Sequence, residues 1–106
     1  MRIEFDFCVS ARHPSLPGHF PDKAVVPGVV LLDHVMIHLR AVTGQRVTQL
    51  RQVKFTSPAL PDEQTQVECE FVDARVSFRA TTPRDGALIE LVTGTLSLHS
   101  AEGLAQ

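Results

Sequence analysis

The chain has 106 residues, of which 43% are hydrophobic and 21% charged, and its formal net charge is −2 at pH 7. This length predicts a single domain over residues 1–106, and the slightly acidic balance argues against nucleic acid as a partner, since nucleic-acid-binding domains are typically basic. No apolar run reaches the roughly 18 residues that span a bilayer, and the first residues lack the apolar core of a signal peptide. The composition therefore predicts a cytoplasmic globular protein that binds neither nucleic acid nor membrane.

A strand and an irregular loop are predicted first along the chain. In residues 2–9, apolar side chains alternate with polar ones, which indicates a strand with one buried face. Residues 10–27 contain four prolines and a glycine among apolar residues, which is typical of an ordered loop. His19 in this loop is a candidate functional residue, because loops often carry functional side chains. A structural or solvated histidine is the alternative.

A single helix is predicted over residues 28–43. Pro27 suits its start, and Gly44 suits the position just past its end. Its apolar side chains cover a wide arc, which predicts that most of the helix is covered by other parts of the protein. Gly28 is a candidate binding position, since the first N–H groups of a helix lack intrahelical acceptors and a glycine lets a ligand approach closely. A glycine needed only for the turn after Pro27 is the alternative.

Asp33 interrupts the apolar sequence of this helix. A carboxyl group enclosed by apolar side chains tends to keep its proton and can act as an acid near neutral pH. Alternatively, Asp33 lies on a polar stripe and pairs loosely with Arg40. His34 and His38 are four residues apart and share a helix face, so a metal site with Asp33 is conceivable. No further ligand stands at a recognisable spacing, and we predict no metal or other cofactor.

The second half of the chain is rich in predicted strands. These are residues 47–57, 65–72, 76–80 and 87–99. Asp85-Gly86 predicts a hairpin turn before the last strand, and Gly94 within that strand predicts a bulge. One long helix and several antiparallel strands predict the α+β class, with the helix on one face of the sheet.

Residues 18–33 resemble the signature of the bacterial 3-hydroxyacyl-acyl-carrier-protein dehydratases. That family reads roughly G-H-F-P-G-x-P-x-x-P-G-x-x-x-x-[E/D], and the spacing from His19 to Asp33 is the same as in the family. Asp22 and Ala24 depart from the pattern, because they stand where the family usually has glycine and proline. Two further segments, in the block after the helix and in the closing strand, resemble the family more weakly. The short chain is most similar to members from accessory acyl-chain and polyene-type pathways.

The resemblance implies a hot-dog fold, in which an antiparallel sheet wraps around one long central helix. It also implies a homodimer, or a higher oligomer of dimers, whose sites combine residues of both subunits. In such a site His19 is the general base that takes the C2 proton, and Asp33 of the partner subunit orients or protonates the departing C3 hydroxyl. The Gly28 N–H polarises the thioester carbonyl.

The implied function is dehydration of a 3-hydroxyacyl thioester to the trans-2-enoyl thioester in the synthesis of fatty-acid-like or polyene chains. The acyl chain is carried by acyl carrier protein or by coenzyme A. Because the carrier protein is acidic, its docking surface should be basic. The candidate docking residues are Arg40, Arg46, Arg51, Lys54, Arg75 and Arg79.

Two other functions fit the same fold. The first is a hot-dog acyl thioesterase, in which a carboxylate activates water on the carbonyl; the spacing of His19 and Asp33 counts against it. The second is a non-catalytic acyl-binding partner subunit, in which Asp33 is only a surface residue. The altered loop at Asp22 and Ala24 keeps this second alternative open.

Overall fold

Five strands and one helix form the fold in a computed structural model, which describes residues 2–10 and 25–100, the last two of these without side chains. In chain order the elements are β1 (Arg2–Cys8), α1 (Gly28–Thr43), β2 (Gln45–Phe55), β3 (Gln64–Val72), β4 (Arg75–Arg84) and β5 (Ala87–Ser100). The strands form an antiparallel sheet in the order β1-β3-β4-β5-β2. The predicted α+β class, with one helix against an antiparallel sheet, is confirmed.

The ends of α1 are set by the residues that the sequence singles out. Pro27 precedes the first helical residue, and Gly44 follows the last one with φ 70°, in the left-handed region that favours glycine. The Gly44 N–H donates to the Arg40 carbonyl at 2.8 Å, which closes the last turn. The predicted helix boundaries are therefore confirmed. Of the helices in the described part of the chain, none is long and apolar enough to cross a bilayer.

The turn between β4 and β5 is the predicted hairpin. Asp85 and Gly86 have φ of 53° and 78°, and two consecutive positive φ values are typical of the tight turns that suit the twist of paired strands. Gly94, in contrast, does not mark a bulge, so that prediction is wrong. It pairs regularly with Val53 and Phe78, and a Cβ added to it would lie 2.9 Å from the Phe78 ring.

The core lies between α1 and one face of the sheet. From the helix, Leu31, Val35 and Leu39 are buried, and each fully buried side chain of this size contributes about 1.5–3 kcal/mol relative to exposure. The strands contribute alternate residues, as β1 shows, because its odd-numbered side chains point inward and its even-numbered ones are exposed. The opposite face of α1 is open: Val29 and Ile37 are 75% and 55% exposed. The expectation that most of the helix is covered is therefore not met by the described residues.

An ion pair holds the connection between β2 and β3 against β4. The Arg84 guanidinium donates to both carboxylate oxygens of Glu63, with 2.7 Å between Nε and Oε2, and also to the Pro58 carbonyl at 3.1 Å. Glu63 Oε1 in turn accepts the Leu60 N–H at 3.2 Å. The hydrogen bond from Arg84 lowers the pKa of the Glu63 carboxyl from its ordinary value. Carboxylate and guanidinium thus tie this connection to β4.

We expect Glu63→Gln to lower the free energy of unfolding by about 1 kcal/mol at pH 7, because it removes one charged partner of a bidentate pair. Since folding lowers the pKa of Glu63, its contribution is complete above the ordinary glutamate pKa of about 4.3 and is lost as the pH falls through the lowered value. Urea unfolding at pH 7 and at pH 3 measures the difference. The control is Glu4→Gln, whose ion pair with Arg2 is exposed and should matter little. A Glu63→Gln effect that is equally large at both pH values would contradict this account.

Candidate active site

The structure describes two of the three residues predicted to act in catalysis, and the catalytic role of all three stays a prediction. Gly28 is the first residue of α1, and Asp33 lies on the exposed side of the same helix. His19 lies outside the described residues, so its role stays a prediction. The same holds for the departures at Asp22 and Ala24.

No side chain in the described part of the protein caps the N-terminus of α1. The helical hydrogen bonds begin with the N–H groups of Val30 and Leu31, which both donate to the Pro27 carbonyl at 3.0 and 3.1 Å. Gly28 and Val29 therefore precede the first helical donors. Pro27 offers no capping hydrogen bond, and the first turn contains no acidic residue. The positive end of the helix dipole is thus left uncompensated by these side chains, which suits a carbonyl oxygen that gains negative charge.

Phe55, the last residue of β2, covers the Cα side of Gly28. A Cβ added to Gly28 would lie 2.7 Å from Cζ of the Phe55 ring, so any larger residue would collide with it. The ring is itself 50% exposed. A larger residue at position 28 would therefore have to displace the Phe55 ring, and with the ring in place a ligand reaches the Gly28 N–H along the helix axis rather than over the Cα.

Backbone pairing holds these two residues together. The Val26 N–H donates to the Ala59 carbonyl at 2.8 Å, which joins the segment before α1 to the segment after β2. Thr56 is tied to β5 by two bonds: its N–H donates to the Leu91 carbonyl at 2.9 Å, and its hydroxyl donates to the Glu90 carbonyl at 2.8 Å. The start of the helix and the end of β2 are thus fixed side by side.

Asp33 does not have the apolar enclosure that the sequence suggested. Its side chain is exposed, in a row with Val29 and Ile37, one turn before and one turn after it. Within the described residues no ion pair joins Asp33 to Arg40, so the alternative of a paired surface stripe is not formed either. Any enclosure of this carboxylate has to come from outside the described part of one chain.

His34 and His38 face away from Asp33, toward β1. The His34 ring stacks on Phe7 with centroids 5.1 Å apart, and the His38 ring stacks on Phe7 and Phe5 at 5.3 and 5.8 Å. His38 Nδ1 donates to the His34 carbonyl at 2.8 Å. Within residues 2–10 and 25–100, no three His, Cys, Asp or Glu side chains are grouped to hold a metal ion. These two histidines help to pack α1 against β1 and do not form a site with Asp33.

Solved structures show which fold this is. The chain superimposes on an uncharacterised protein from Erwinia carotovora subsp. atroseptica with a TM-score of 0.80 at 20% identity, covering 95% of this chain and 85% of the other. The superposition on the dehydratase heterocomplex ApeI:P from Xenorhabdus doucetiae has a TM-score of 0.72 at 20% identity and covers 92% of this chain and 86% of the other. The superposition on an acyl-CoA hydrolase from Staphylococcus aureus has a TM-score of 0.68 at 13% identity and covers 93% of this chain and 64% of the other. The chain therefore has the hot-dog fold, although such low identities carry no activity over to it.

Sequence comparison places the chain among dehydratases. The family model of the ApeI-like proteins, described as ApeI dehydratase, matches residues 1–91. The chain is 30% identical over 95 residues to the 3-hydroxyacyl-[acyl-carrier-protein] dehydratase FabZ of Vibrio atlanticus and to that of Granulibacter bethesdensis. Each match covers 76% of this chain but only 63% and 56% of the two relatives. The chain belongs to the ApeI-like dehydratase family, and it spans about three fifths of the length of these curated relatives.

Gly28→Ala tests the contact with Phe55. In the wild-type background we expect the added methyl group to collide with the ring and to lower the free energy of unfolding by about 1–3 kcal/mol. In a Phe55→Ala background the same change should be neutral or stabilising, because alanine favours the helix more than glycine does. Denaturant unfolding of the wild-type protein, the two single variants and the double variant gives a coupling energy, which measures this reversal of sign. An equal effect of Gly28→Ala in both backgrounds would contradict the contact.

Proposed function

We propose that the protein dehydrates a 3-hydroxyacyl thioester to the trans-2-enoyl thioester. Acyl carrier protein, or coenzyme A, carries the acyl chain. The observation that supports this most is the family signature at residues 18–33, which ends on the helix that begins at Gly28. Membership of a dehydratase family favours the same reaction. The proposed context is the synthesis of fatty-acid-like or polyene chains.

In the proposed reaction each residue moves or stabilises one charge. The His19 imidazole takes the C2 proton, and the electron pair of the C–H bond delocalises onto the thioester carbonyl. The Gly28 N–H, at the positive end of α1, stabilises the negative charge on that oxygen. The electron pair then returns to form the C2–C3 double bond, and the C3–O bond breaks. The hydroxyl leaves as water, with a proton from Asp33 of the partner subunit.

The geometry of α1 supports a site shared by two subunits. Asp33 lies five residues beyond Gly28, which is about 7.5 Å along the helix axis and roughly 140° around it. The carboxylate therefore points away from the side on which Phe55 covers Gly28. The exposed apolar residues beside it, Val29 and Ile37, are typical of a surface that a partner covers. β2 also lies at an edge of the sheet, which leaves a row of backbone groups available to another chain.

Mixed dimers test the shared site. His19→Ala and Asp33→Asn should each lower the rate by about 10²–10⁴, because each removes an acid or a base. When equal amounts of the two variants are unfolded and refolded together, half of the dimers contain one fully wild-type site, so roughly a quarter of the activity should return. The control is each variant refolded alone. Folded mixed dimers without recovered activity would contradict the arrangement in trans.

The choice of substrate separates dehydration from thioester hydrolysis. Given a 3-hydroxyacyl carrier-protein thioester, the protein should form the enoyl thioester, which is followed by its ultraviolet absorbance, with little release of thiol. The matched saturated thioester has no hydroxyl to lose, so it should stay unchanged. Rapid thiol release from the saturated substrate, lost in Asp33→Asn, would identify a thioesterase instead. A folded oligomer that converts neither substrate would favour the non-catalytic acyl-binding subunit.

A further inference from the structure

The connection between β2 and β3, residues 56–63, is bonded to the segment that leads into α1. The Val26 N–H donates to the Ala59 carbonyl at 2.8 Å, and both residues are buried. Val26 is only two residues before Gly28, the first residue of the helix. The position of Ala59 therefore affects the placement of Gly28.

Glu63 and Arg84 hold the residues on both sides of Ala59. The Arg84 guanidinium donates to the Pro58 carbonyl at 3.1 Å. On the other side, Glu63 Oε1 accepts the Leu60 N–H at 3.2 Å. Nε and Nη2 of Arg84 also donate to the two oxygens of the Glu63 carboxylate. Because the two side chains are only 23% and 18% exposed, solvent screens this ion pair less than a surface pair.

The ion pair is anchored in the sheet. Arg84 is the last residue of β4 and pairs with Ala87 of β5. The Thr56 N–H donates to a carbonyl of β5, and the Asp62 N–H donates to the Val9 carbonyl at 2.8 Å, just past β1. These two backbone contacts hold the ends of the connection, whereas the ion pair holds its middle.

The direction of the Gly28 N–H depends on the peptide between Pro27 and Gly28, because a peptide unit is planar. The Val26 bond to Ala59 holds one side of this peptide, and the helical bonds to the Pro27 carbonyl hold the other. A donor that stabilises developing charge has to be held in place before the reaction, and a displacement of about 1 Å can cost about 10² in rate. Movement of Ala59 would therefore slow the reaction without removing any group that contacts the substrate.

We infer that Glu63 and Arg84 are positioning residues, which keep the Gly28 N–H aimed at the thioester carbonyl. They act through the backbone bond between Ala59 and Val26, and neither side chain has to contact the substrate. The inference rests on the proposed function, because it takes the role of Gly28 from there.

Arg84→Met and Glu63→Gln test the inference in the assay with a 3-hydroxyacyl carrier-protein thioester. Arg84→Met removes the donor to Pro58 and the charged partner of Glu63. We expect kcat to fall about tenfold and KM to change less than about twofold, because the misplaced donor acts on charge that develops during the reaction. Glu63→Gln keeps an oxygen for the Leu60 N–H, so its loss of kcat should be smaller. This nearly isosteric variant also keeps the inference testable if Arg84→Met does not fold.

Thr82→Val is the matched control for a loss of stability. The Thr82 side chain is fully buried, and its hydroxyl donates to the Gln64 carbonyl at 2.7 Å. The change therefore weakens the link between β4 and the start of β3, next to Glu63, but leaves the contacts of Pro58 and Leu60 intact. At a temperature at which urea unfolding shows every variant to be folded, Thr82→Val should keep the wild-type kcat.

Amide hydrogen exchange, followed by NMR, separates local loosening from a general loss of stability. The Val26 N–H reports on the bond to Ala59. The Val67 N–H, on the central part of β3, reports on the sheet, since Val67 is fully buried between paired strands. In Arg84→Met the exchange rate of Val26 relative to Val67 should rise about tenfold, as expected for one weakened hydrogen bond. Thr82→Val should leave this ratio unchanged.

Two results would overturn the inference. If Arg84→Met accelerates Val26 and Val67 equally, the ion pair stabilises the protein as a whole and does not hold the start of α1 in particular. If Val26 is accelerated selectively but kcat falls no further than in Thr82→Val, the placement of Gly28 does not limit the reaction. If the wild-type protein dehydrates no substrate while Val26 still responds selectively, the proposed function fails, and the hold of the ion pair on the start of α1 stands.

Discussion

The side-by-side placement of the start of α1 and the end of β2 is the constraint on which the candidate site depends. The backbone bond between Val26 and Ala59 brings the two segments together, and the Phe55 ring then fills the space that a side chain at residue 28 would need. This contact favours a glycine at the start of the helix and closes the Cα side of that glycine. Because no side chain of residues 2–10 or 25–98 caps this terminus, its first N–H groups suit a ligand on the remaining side.

The exposed face of α1, which contains Val29, Asp33 and Ile37, is the second feature on which the candidate site depends. A helix in a complete core would not leave Val29 and Ile37 mostly exposed on either side of a carboxylate. A partner over this face would bury the apolar side chains and would supply the low-polarity surroundings in which a carboxyl group keeps its proton. Assembly and acid catalysis would then depend on the same surface. In the non-catalytic alternative a partner could cover the same face, but Asp33 would have no role in a reaction.

Local patterns predicted the elements well because local chemistry determines them. Pro27 and Gly44 limit the helix, and Asp85-Gly86 determines the hairpin, through backbone preferences that hold in any protein. Contacts between distant residues were not predictable in this way. A glycine within a strand pattern indicates a bulge, whereas Gly94 lies where the Gln52 carbonyl and the Phe78 ring of the neighbouring strands leave no room for a Cβ. The contact of Phe55 with Gly28 has no local signal in the sequence, because the two residues belong to different elements, and Phe55 lies in the block that matches the family only weakly.

For the site, the sequence predicted the start of α1 at Gly28, whereas the catalytic roles of Gly28 and Asp33 stay predictions and Asp33 is exposed in the single chain. A helical wheel shows only the residues of the same helix, and those around Asp33 are apolar without enclosing it. His19 lies outside the described residues, so its role still rests on the resemblance of residues 18–33 to the dehydratase signature.

The most direct test of the central claim follows oxygen during the reverse reaction. The protein is incubated with a 2-enoyl thioester in water enriched in oxygen-18, and the products are analysed by mass spectrometry. Dehydration run backwards adds water to the double bond, so the label should appear in the C3 hydroxyl of an intact 3-hydroxyacyl thioester, and His19→Ala should abolish this incorporation. Label found only in the carboxylate of a released acid would contradict the account, since it would show that the protein attacks the thioester carbonyl.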